Sequence, residues 1–406
     1  MLWLLTILAT LSLLIWLVLV LAPDQAYRYR EILHHNPEMP PATTPYPEVS
    51  VIIPARNEEK MLARTLPSIV GQTYPNFEVV LVDDQSSDHT REVAQKIQAQ
   101  LAPNGIVLRI VTGEPLPQGW AGKVWAMAQG VKKAHGEWVL FTDADIEYPP
   151  QLLRSLVDYA RSERKTMVSL MARLSTRFFW EKLLISAFLY FFKLLYPFRT
   201  VANPQRKMAA AAGGCILLKQ KALEAAGGIT KIAGAIIDDI ALARVIKAKK
   251  FDIALLVSPD LLSLREYQTL GEIWHMVTRS AFTELKYSYL RLLFCIVAMT
   301  VTYFVPIVAL VYALGLLACY VQSVPTNAAV LISTLTLAGI ACATLFLTWY
   351  SYRPTIAYLK VSKWFAFSLP VAALLYLLMT LHSAWRYLFG VKSAWKGRQY
   401  QKEPRT

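Results

Sequence analysis

Asp143-Ala144-Asp145 follows the apolar run Trp138-Val139-Leu140-Phe141. On an extended segment, side chains at i and i+2 point the same way. Two carboxylates so placed repel each other unless a cation sits between them. Hard oxygen ligands of this kind suit Mg²⁺ or Mn²⁺, which also bind a substrate's phosphates. An ordinary loop with two solvated acids explains Asp-x-Asp by itself equally well. Its place at the end of a strongly apolar strand is the reason to look further. Two other buried-strand patterns also run into acids: Val49 to Pro54 into Ala55-Arg56-Asn57-Glu58, and Phe77 to Val82 into Asp83-Asp84. A fourth pair, Asp238-Asp239, opens a helical pattern ending near Lys249. Compensation of the helix N-terminal charge explains that pair; so does an acid facing a crevice as a base.

The elements that must position these acids are legible in outline. A helix runs from Glu59 to about Ile69, and a second from the polar cluster after Asp84 to about Leu101. Ile106 to Val111 reads as a strand, Gly122 to Ala134 as a helix, Trp138 to Phe141 as the next strand, and Val168 to Arg173 as another. Ile216 to Leu218 and Phe251 to Ser258 complete the strand set, with helices at Lys221 to Ala226 and Thr269 to Tyr287. Alternation of strand and helix predicts an α/β domain with a mostly parallel sheet. Ligands of such sheets sit outside the carboxyl ends of the strands, so the acids converge on one crevice. Ala209 to Cys215 is rich in small residues, including Gly213 and Gly214, which permit close approach of backbone to a ligand or simply a tight turn. Neither G-x-G-x-x-G nor G-x-x-x-x-G-K-[ST] is present, which disfavours a dinucleotide oxidoreductase and a P-loop NTPase.

The chain has 406 residues, 55% of them hydrophobic, with a formal net charge of +14. Apolar residues gather at the two ends. Leu2 to Ala22 carries no charge, and at about 1.5 Å per residue it crosses roughly 30 Å of hydrocarbon. It lacks the flanking signals of a cleaved leader and reads as a membrane anchor. Leu292 to Val321, Ala328 to Tyr350 and Trp364 to about Leu381 are further apolar runs, helical because backbone in lipid must satisfy itself. Leu292 to Val321 is long for one crossing and short for two; Pro306 would kink it. Phe178 to Phe198 is apolar and aromatic but is interrupted by Glu181, Lys182 and Lys193, the pattern of an interfacial helix or of a buried packing helix. Basic residues crowd beside the apolar runs, which fits anionic lipid rather than nucleic acid, for which no motif is present. The four cysteines have no metal-ligand or disulfide spacing. The resulting plan is an anchor at 1–22, a Pro-rich linker at 23–48, a catalytic domain at 49–290 with the aromatic helix 178–198, apolar helices at 291–390 and a basic tail at 391–406.

Taken together, Pro54-Ala55-Arg56-Asn57-Glu58, Asp83-Asp84-x-Ser86-x-Asp88, Gly122-Lys123-x-x-Ala126, Asp143-x-Asp145 and Asp238-Asp239 resemble the inverting, nucleotide-sugar-dependent glycosyltransferases of family 2, which have the GT-A fold. The resemblance covers about Val49 to Arg279. Pro115-Leu116-Pro117-x-Gly119-Trp120, Ser169-Leu170-Met171-Ala172-Arg173, Ala211-Ala212-Gly213-Gly214-Cys215 and Ala394-Trp395-Lys396-Gly397-Arg398 resemble the hopene-associated bacterial subgroup (the HpnB type), similar in layout to ceramide glucosyltransferases.

The resemblance implies a set of roles. Ala55, Glu58 and Asp84 line the nucleobase and ribose pocket. Lys123 and Asp143 hold the diphosphate side of the donor. Asp143 and Asp145 bind Mg²⁺ or Mn²⁺. Asp239 is the catalytic base, with Asp238 replacing the family's usual Glu. Gly213, Gly214 and Arg279 are accessory or acceptor-side residues. Of the family's Gln-x-x-Arg-Trp motif only Arg279 is present, in Met276-x-x-Arg279-Ser280, which argues against a polymer synthase. The implied protein is a multi-pass enzyme of the cytoplasmic membrane, its catalytic domain facing the cytoplasm. It would move one sugar to a lipid hydroxyl, a hopanoid or another membrane lipid. Alternatives are a polyprenyl phosphate or other glycolipid acceptor, nucleotidyl transfer, and a non-catalytic membrane scaffold that keeps the fold.

Overall fold

The computed structural model describes residues 1–34, 45–101, 107–322, 328–390, 394–395 and 398–399. Most of the Pro-rich connector, the first residue of the third expected strand and most of the basic tail lie outside the described residues. The chain divides into two compact units. One holds Met1–Tyr29, Thr176–Leu195 and the described residues from Tyr267 to Gly390; the other holds Arg30–Ser175 and Tyr196–Glu266.

In chain order, α1 (Leu2–Leu21) belongs to the first unit. The α/β unit then runs β1 (Val49–Ala55), α2 (Glu59–Val70), β2 (Phe77–Asp83), α3 (Thr90–Leu101), β3 (Leu108–Thr112), α4 (Gly122–Val131), β4 (Trp138–Thr142), β5 (Ile146–Glu147), α5 (Leu152–Ser162) and β6 (Met167–Arg173). The chain passes to the helical unit for a π-helical turn, Glu181–Ile185, and α6 (Ser186–Leu195). It returns with α7 (Phe198–Ala202), β7 (Cys215–Lys219), α8 (Gln220–Ala225), α9 (Asp238–Ala248) and β8 (Ile253–Ser263).

All seven residues of β1 are buried, as are all five of β4, so both strands are covered on both faces. That burial is why their sequences are continuous apolar runs rather than alternating ones. The eight strands form one sheet in the order β3-β2-β1-β4-β7-β6-β8-β5. β1, β2, β3 and β4 pair in parallel, and so do β6 and β8. β7 is antiparallel to both β4 and β6. The sequence pattern does not distinguish β7, because a short apolar strand reads the same in either direction. Its reversal has a consequence for the site. Thr142, at the carboxyl end of β4, pairs with Cys215, at the amino end of β7. Gly213 and Gly214 are thereby placed at the sheet edge where Asp143 begins its turn.

In the helical unit, α10 (Leu270–Glu284), α11 (Tyr289–Met299), a π-helical turn at Thr300–Phe304, α12 (Val305–Gln322), α13 (Ala328–Tyr358) and α14 (Leu369–Leu388) follow. Four helices are long and apolar enough to cross a membrane among the described residues: Leu2–Leu21, Tyr289–Tyr320, Ala328–Tyr358 and Leu369–Leu388. Tyr289–Tyr320 is continuous, so the long apolar run is one helix and not a pair of spans. Pro306 lacks the N–H that would bond the carbonyl four residues back, and the π-helical turn directly before it absorbs the mismatch. The carbonyl of Thr302 instead accepts from Nε1 of Trp16 at 3.2 Å and from Oγ of Ser12 at 3.3 Å. Ala9, Ala309, Ala313, Leu337 and Ala341 are fully buried where α1, α12 and α13 meet. Small side chains let helices approach closely where lipid supplies no hydrophobic drive.

The charges interrupting the aromatic run are not displayed on a surface. Glu181 is fully buried: its carboxylate accepts from the backbone N–H groups of Arg177, Phe178 and Tyr267. Lys193 is also buried, with its ammonium 4.4 Å from the ring centre of Tyr29. The hydroxyl of Tyr376 donates to the carbonyl of Leu184 at 2.9 Å, packing this segment against α14.

Candidate donor-binding and catalytic site

The loops after β1 and β2 interlock at the sheet edge. The backbone N–H of Asp84 donates to the carbonyl of Ala55 at 2.8 Å, and the Arg56 guanidinium donates to the carbonyls of Asp84 and Gln85. Asn57 and Gln85 both take left-handed φ, 52° and 56°. Asn57 is held there from both sides: its N–H donates to Oγ of Ser86, and its side-chain oxygen accepts from the N–H of Ser87. Asp84 is fully buried, and Gly113 packs so closely that an added Cβ would lie 3.0 Å from the Asp84 Cα. Ala55, Glu58 and Asp84 thus form one rigid corner.

The turn after β4 carries the other acids. Lys123, in the first turn of α4, places Nζ 2.7 Å from Oδ1 of Asp143 and 3.1 Å from Oδ2 of Asp238. Asp145 is tied elsewhere: Nε of Arg265 stands 2.6 Å from its Oδ2, and Nη2 of the same guanidinium stands 3.1 Å from Oε1 of Glu58. Residues 143–145 form a turn rather than extended chain. The two carboxylates therefore do not share one protein cation, as simple i, i+2 geometry predicts; each has its own. Asp239 lies beside the group, and its Oδ2 accepts from the backbone N–H of Gly213 at 2.9 Å. A Cβ on Gly213 would sit 3.1 Å from Nζ of Lys123 and 3.4 Å from Oδ2 of Asp239, so a glycine is what lets the loop reach both. Gly214 serves packing: its carbonyl accepts from the Thr142 hydroxyl, and a Cβ there would press on Ile146. Lys123, Asp143, Gly213 and Asp238 line one pocket, with Pro54, Phe141 and Ile216 in its wall.

Electrostatics follow from this crowding. Burial pushes the Asp239 carboxyl up to about 7, helped by Asp238 and opposed by Lys123. Burial raises Asp143 too, with Asp145 and Asp238 adding to the rise and Lys123 working against it. Burial alone would lower Lys123; Asp143 and Asp238 override it, and the ammonium is held well above the ordinary lysine range. A carboxylate that titrates near neutrality is suited to accept a proton from a hydroxyl.

The donor set suits a hard divalent ion. Lys123 is shared by Asp143 and Asp238, Arg265 by Asp145 and Glu58, and Asp239 accepts from a backbone N–H instead. No group of three or more His, Cys, Asp and Glu side chains is placed to hold a metal among the described residues. Asp143 and Asp145 are the two carboxylates that would hold such an ion, which would offset charge on a bound diphosphate.

Sequence reasoning reaches Ala55, Glu58, Asp84, Lys123, Asp143, Asp145, Asp238, Asp239 and Gly213, and the α/β unit brings all of them to one edge of the sheet. Arg279 lies on α10, in the helical unit. Arg265 is the residue that sequence reasoning misses. It follows β8 in a loop with no periodic or motif signal, 120 positions from the acid it touches.

The sheet and the acid-lined edge define a GT-A domain. Residues 50–227 match the model of glycosyl transferase family 2. A beta-monoglucosyldiacylglycerol synthase of Synechocystis is 25% identical over 282 residues, 66% of this chain and 55% of that protein. A 4,4'-diaponeurosporenoate glycosyltransferase of Staphylococcus haemolyticus is 32% identical over 146 residues, 36% of each chain. The chain thus spans between 36% and 55% of the length of these relatives. A mannosyltransferase of Pyrobaculum calidifontis, solved with GDP-Man and Mn²⁺, superposes with a TM-score of 0.53 at 18% identity, covering 96% of this chain and 99% of that one; it is a likeness of fold.

Proposed function

We propose that the protein is a membrane-bound, inverting glycosyltransferase that moves a single sugar from a nucleotide-sugar donor to a lipid hydroxyl. The observation that carries this reading is the meeting of Lys123, Asp143, Asp238 and Asp239 within hydrogen-bonding reach of one another or of Gly213. In this reading Ala55, Glu58 and Asp84 form the nucleoside corner, and Lys123 faces the diphosphate. A divalent ion held by Asp143 and Asp145 would stabilise the charge that develops on the departing diphosphate. Asp239 accepts the proton of the acceptor hydroxyl, and the hydroxyl oxygen attacks the anomeric carbon opposite the leaving group, which inverts the centre. The Gly213 N–H holds Oδ2 of Asp239 at 2.9 Å and the Ile240 N–H holds Oδ1 at 2.7 Å, so both oxygens are fixed and each keeps a second lone pair for the acceptor proton. Asp238 holds Lys123 and keeps the Asp239 carboxyl near neutrality.

A lipid acceptor is supported by the four apolar helices of the same chain and by a relative named for a glucosyldiacylglycerol product. The proposal extends to a multi-pass enzyme of the cytoplasmic membrane whose catalytic domain faces the cytoplasm. The reading keeps 178–198 as an interfacial segment and Arg279 of α10 as an accessory residue. The flanking motifs shared with hopene-associated enzymes make a hopanoid the first acceptor to try. The test is transfer of radiolabelled sugar, from a panel of nucleotide sugars, into the lipid phase by the full-length protein in nanodiscs. A β-linked product from an α-linked donor is expected. Retention of configuration, or donor hydrolysis with no lipid product in the presence of hopanoid, diacylglycerol and polyprenyl phosphate acceptors, would overturn it.

A further inference from the structure

Arg265 stands in an unusual place for a cation. It sits on an acid proposed above as a metal ligand, and it is absent from every motif that marks the site in the sequence. Its backbone is well anchored. The N–H of Leu264 donates to the carbonyl of Asp145 at 2.8 Å, and β5 pairs with the end of β8 through Ile146–Ser263 and Glu147–Leu262. The side chain is therefore the part able to change partners. Nε takes Oδ2 of Asp145 at 2.6 Å, and Nη2 takes Oε1 of Glu58 at 3.1 Å. The two acid side chains are about nine-tenths buried, while the arginine is 39% exposed, so the guanidinium closes the acids off from the open side.

A guanidinium does not lose its proton at any ordinary pH, so it cannot leave Asp145 by deprotonation. A divalent cation arriving at the same oxygen must displace it or sit against its charge. Arginine's planar fork also matches phosphate oxygens well. We infer that Arg265 is the resident counter-ion of Asp145 and Glu58: it holds both acids until a divalent cation takes Asp145, and then transfers to phosphate oxygens of the donor. The site consequently binds metal poorly by itself and well together with a diphosphate. Each ligand strengthens the other by the same factor, because such coupling is reciprocal. The inference rests on the reading of Asp145 as a metal ligand.

The test measures Mn²⁺ affinity of the full-length protein in detergent, from the electron paramagnetic resonance signal of free Mn²⁺. Wild type, Arg265→Met, Arg265→Lys and Asp145→Asn are compared without nucleotide and with GDP or UDP as the diphosphate probe. Arg265→Met keeps the stem and removes the charge. It should bind Mn²⁺ more tightly than wild type without nucleotide, by at least about fivefold, the lower end of ordinary coupling factors. Nucleotide should tighten Mn²⁺ binding in wild type and much less in Arg265→Met. Arg265→Lys should stay near wild type. Arg265→Gln replaces Arg265→Met if the latter does not fold. Equal or weaker Mn²⁺ binding by the uncharged variant, with Asp145→Asn still losing Mn²⁺, overturns the inference and leaves the metal assignment standing. Unchanged Mn²⁺ affinity in Asp145→Asn removes the metal assignment and the inference with it.

Discussion

The backbone N–H of Gly213 donates to Oδ2 of Asp239 at 2.9 Å, joining the start of β7 to the first turn of α9. An added Cβ would lie 3.1 Å from Lys123 Nζ and 3.4 Å from Asp239 Oδ2, displacing both or pushing the loop away. Gly213→Ala should fold normally and lower kcat by up to about tenfold, because the neighbours must give by a few tenths of an ångström, less than the 1 Å misplacement that costs about a hundredfold. Circular dichroism and steady-state kinetics on one preparation check both halves. Wild-type kcat in the alanine variant would remove Gly213 from the machinery.

The raised Asp239 carboxyl fixes the pH dependence. A base works only when deprotonated, so kcat/KM should fall as pH drops through about 7. Asp238 raises this group, so Asp238→Asn should move the acidic limb to lower pH. Lys123 lowers it, so Lys123→Met should move the limb to higher pH. The opposite shifts are the diagnostic; movement in one direction for both variants would mean that the limb belongs to another group.

Lys123 is mostly buried among Asp143, Asp238 and Asp239. Replacing it by Met removes two charge-assisted contacts, to Asp143 and Asp238, and, in the proposed complex, a partner of the diphosphate. A loss of about 1.5–3 kcal/mol, roughly 10–200-fold in kcat/KM, is expected. Competition by nucleoside diphosphate separates weakened donor binding from a slower chemical step: donor affinity should account for most of the loss.

Away from the site, Glu78 is buried on β2, paired with Ser50 of β1. It accepts from the Ser50 hydroxyl at 2.7 Å and the His135 backbone N–H at 2.8 Å, with Arg109 3.3 Å away. Burial alone would raise its carboxyl; the bonds from Ser50 and His135, with Arg109, hold it below the ordinary glutamate value. A lowered folded-state value contributes stability that is fully present above the unfolded value and lost as pH falls through the folded one. Glu78→Ala should cost about 1–3 kcal/mol near pH 7. Its deficit in thermal midpoint should shrink as the pH is taken below about 4. A deficit independent of pH would mean that the carboxylate's charge plays no part.

Glu58, Asp84, Asp143 and Asp145 are legible in the sequence because each follows a largely apolar, buried strand. Val49–Ala55, Phe77–Asp83 and Trp138–Thr142 all announce themselves in this way. What the sequence hides is direction and distance. The five residues of β7 carry no mark of running antiparallel, and only that reversal sets Gly213 against Asp239. Arg265 reaches Asp145 across 120 positions from a loop without a pattern. The Pro306 helix shows a related limit: the proline marks a break, but the π-helical turn that absorbs it and the Trp16 bond to Thr302 come from tertiary contact.

The central claim is that Asp239 is the base of a sugar transfer, and Asp239→Asn tests it most directly. Donor affinity, measured by calorimetry with a nucleotide sugar and Mn²⁺, should match wild type within a few-fold, because the amide keeps the size of the side chain and an oxygen for one of the two backbone N–H groups, Gly213 and Ile240, that hold the carboxylate. Transfer to lipid by the same preparation should fall by about 10²–10⁴-fold, the usual contribution of a positioned base. Transfer within tenfold of wild type would contradict the assignment.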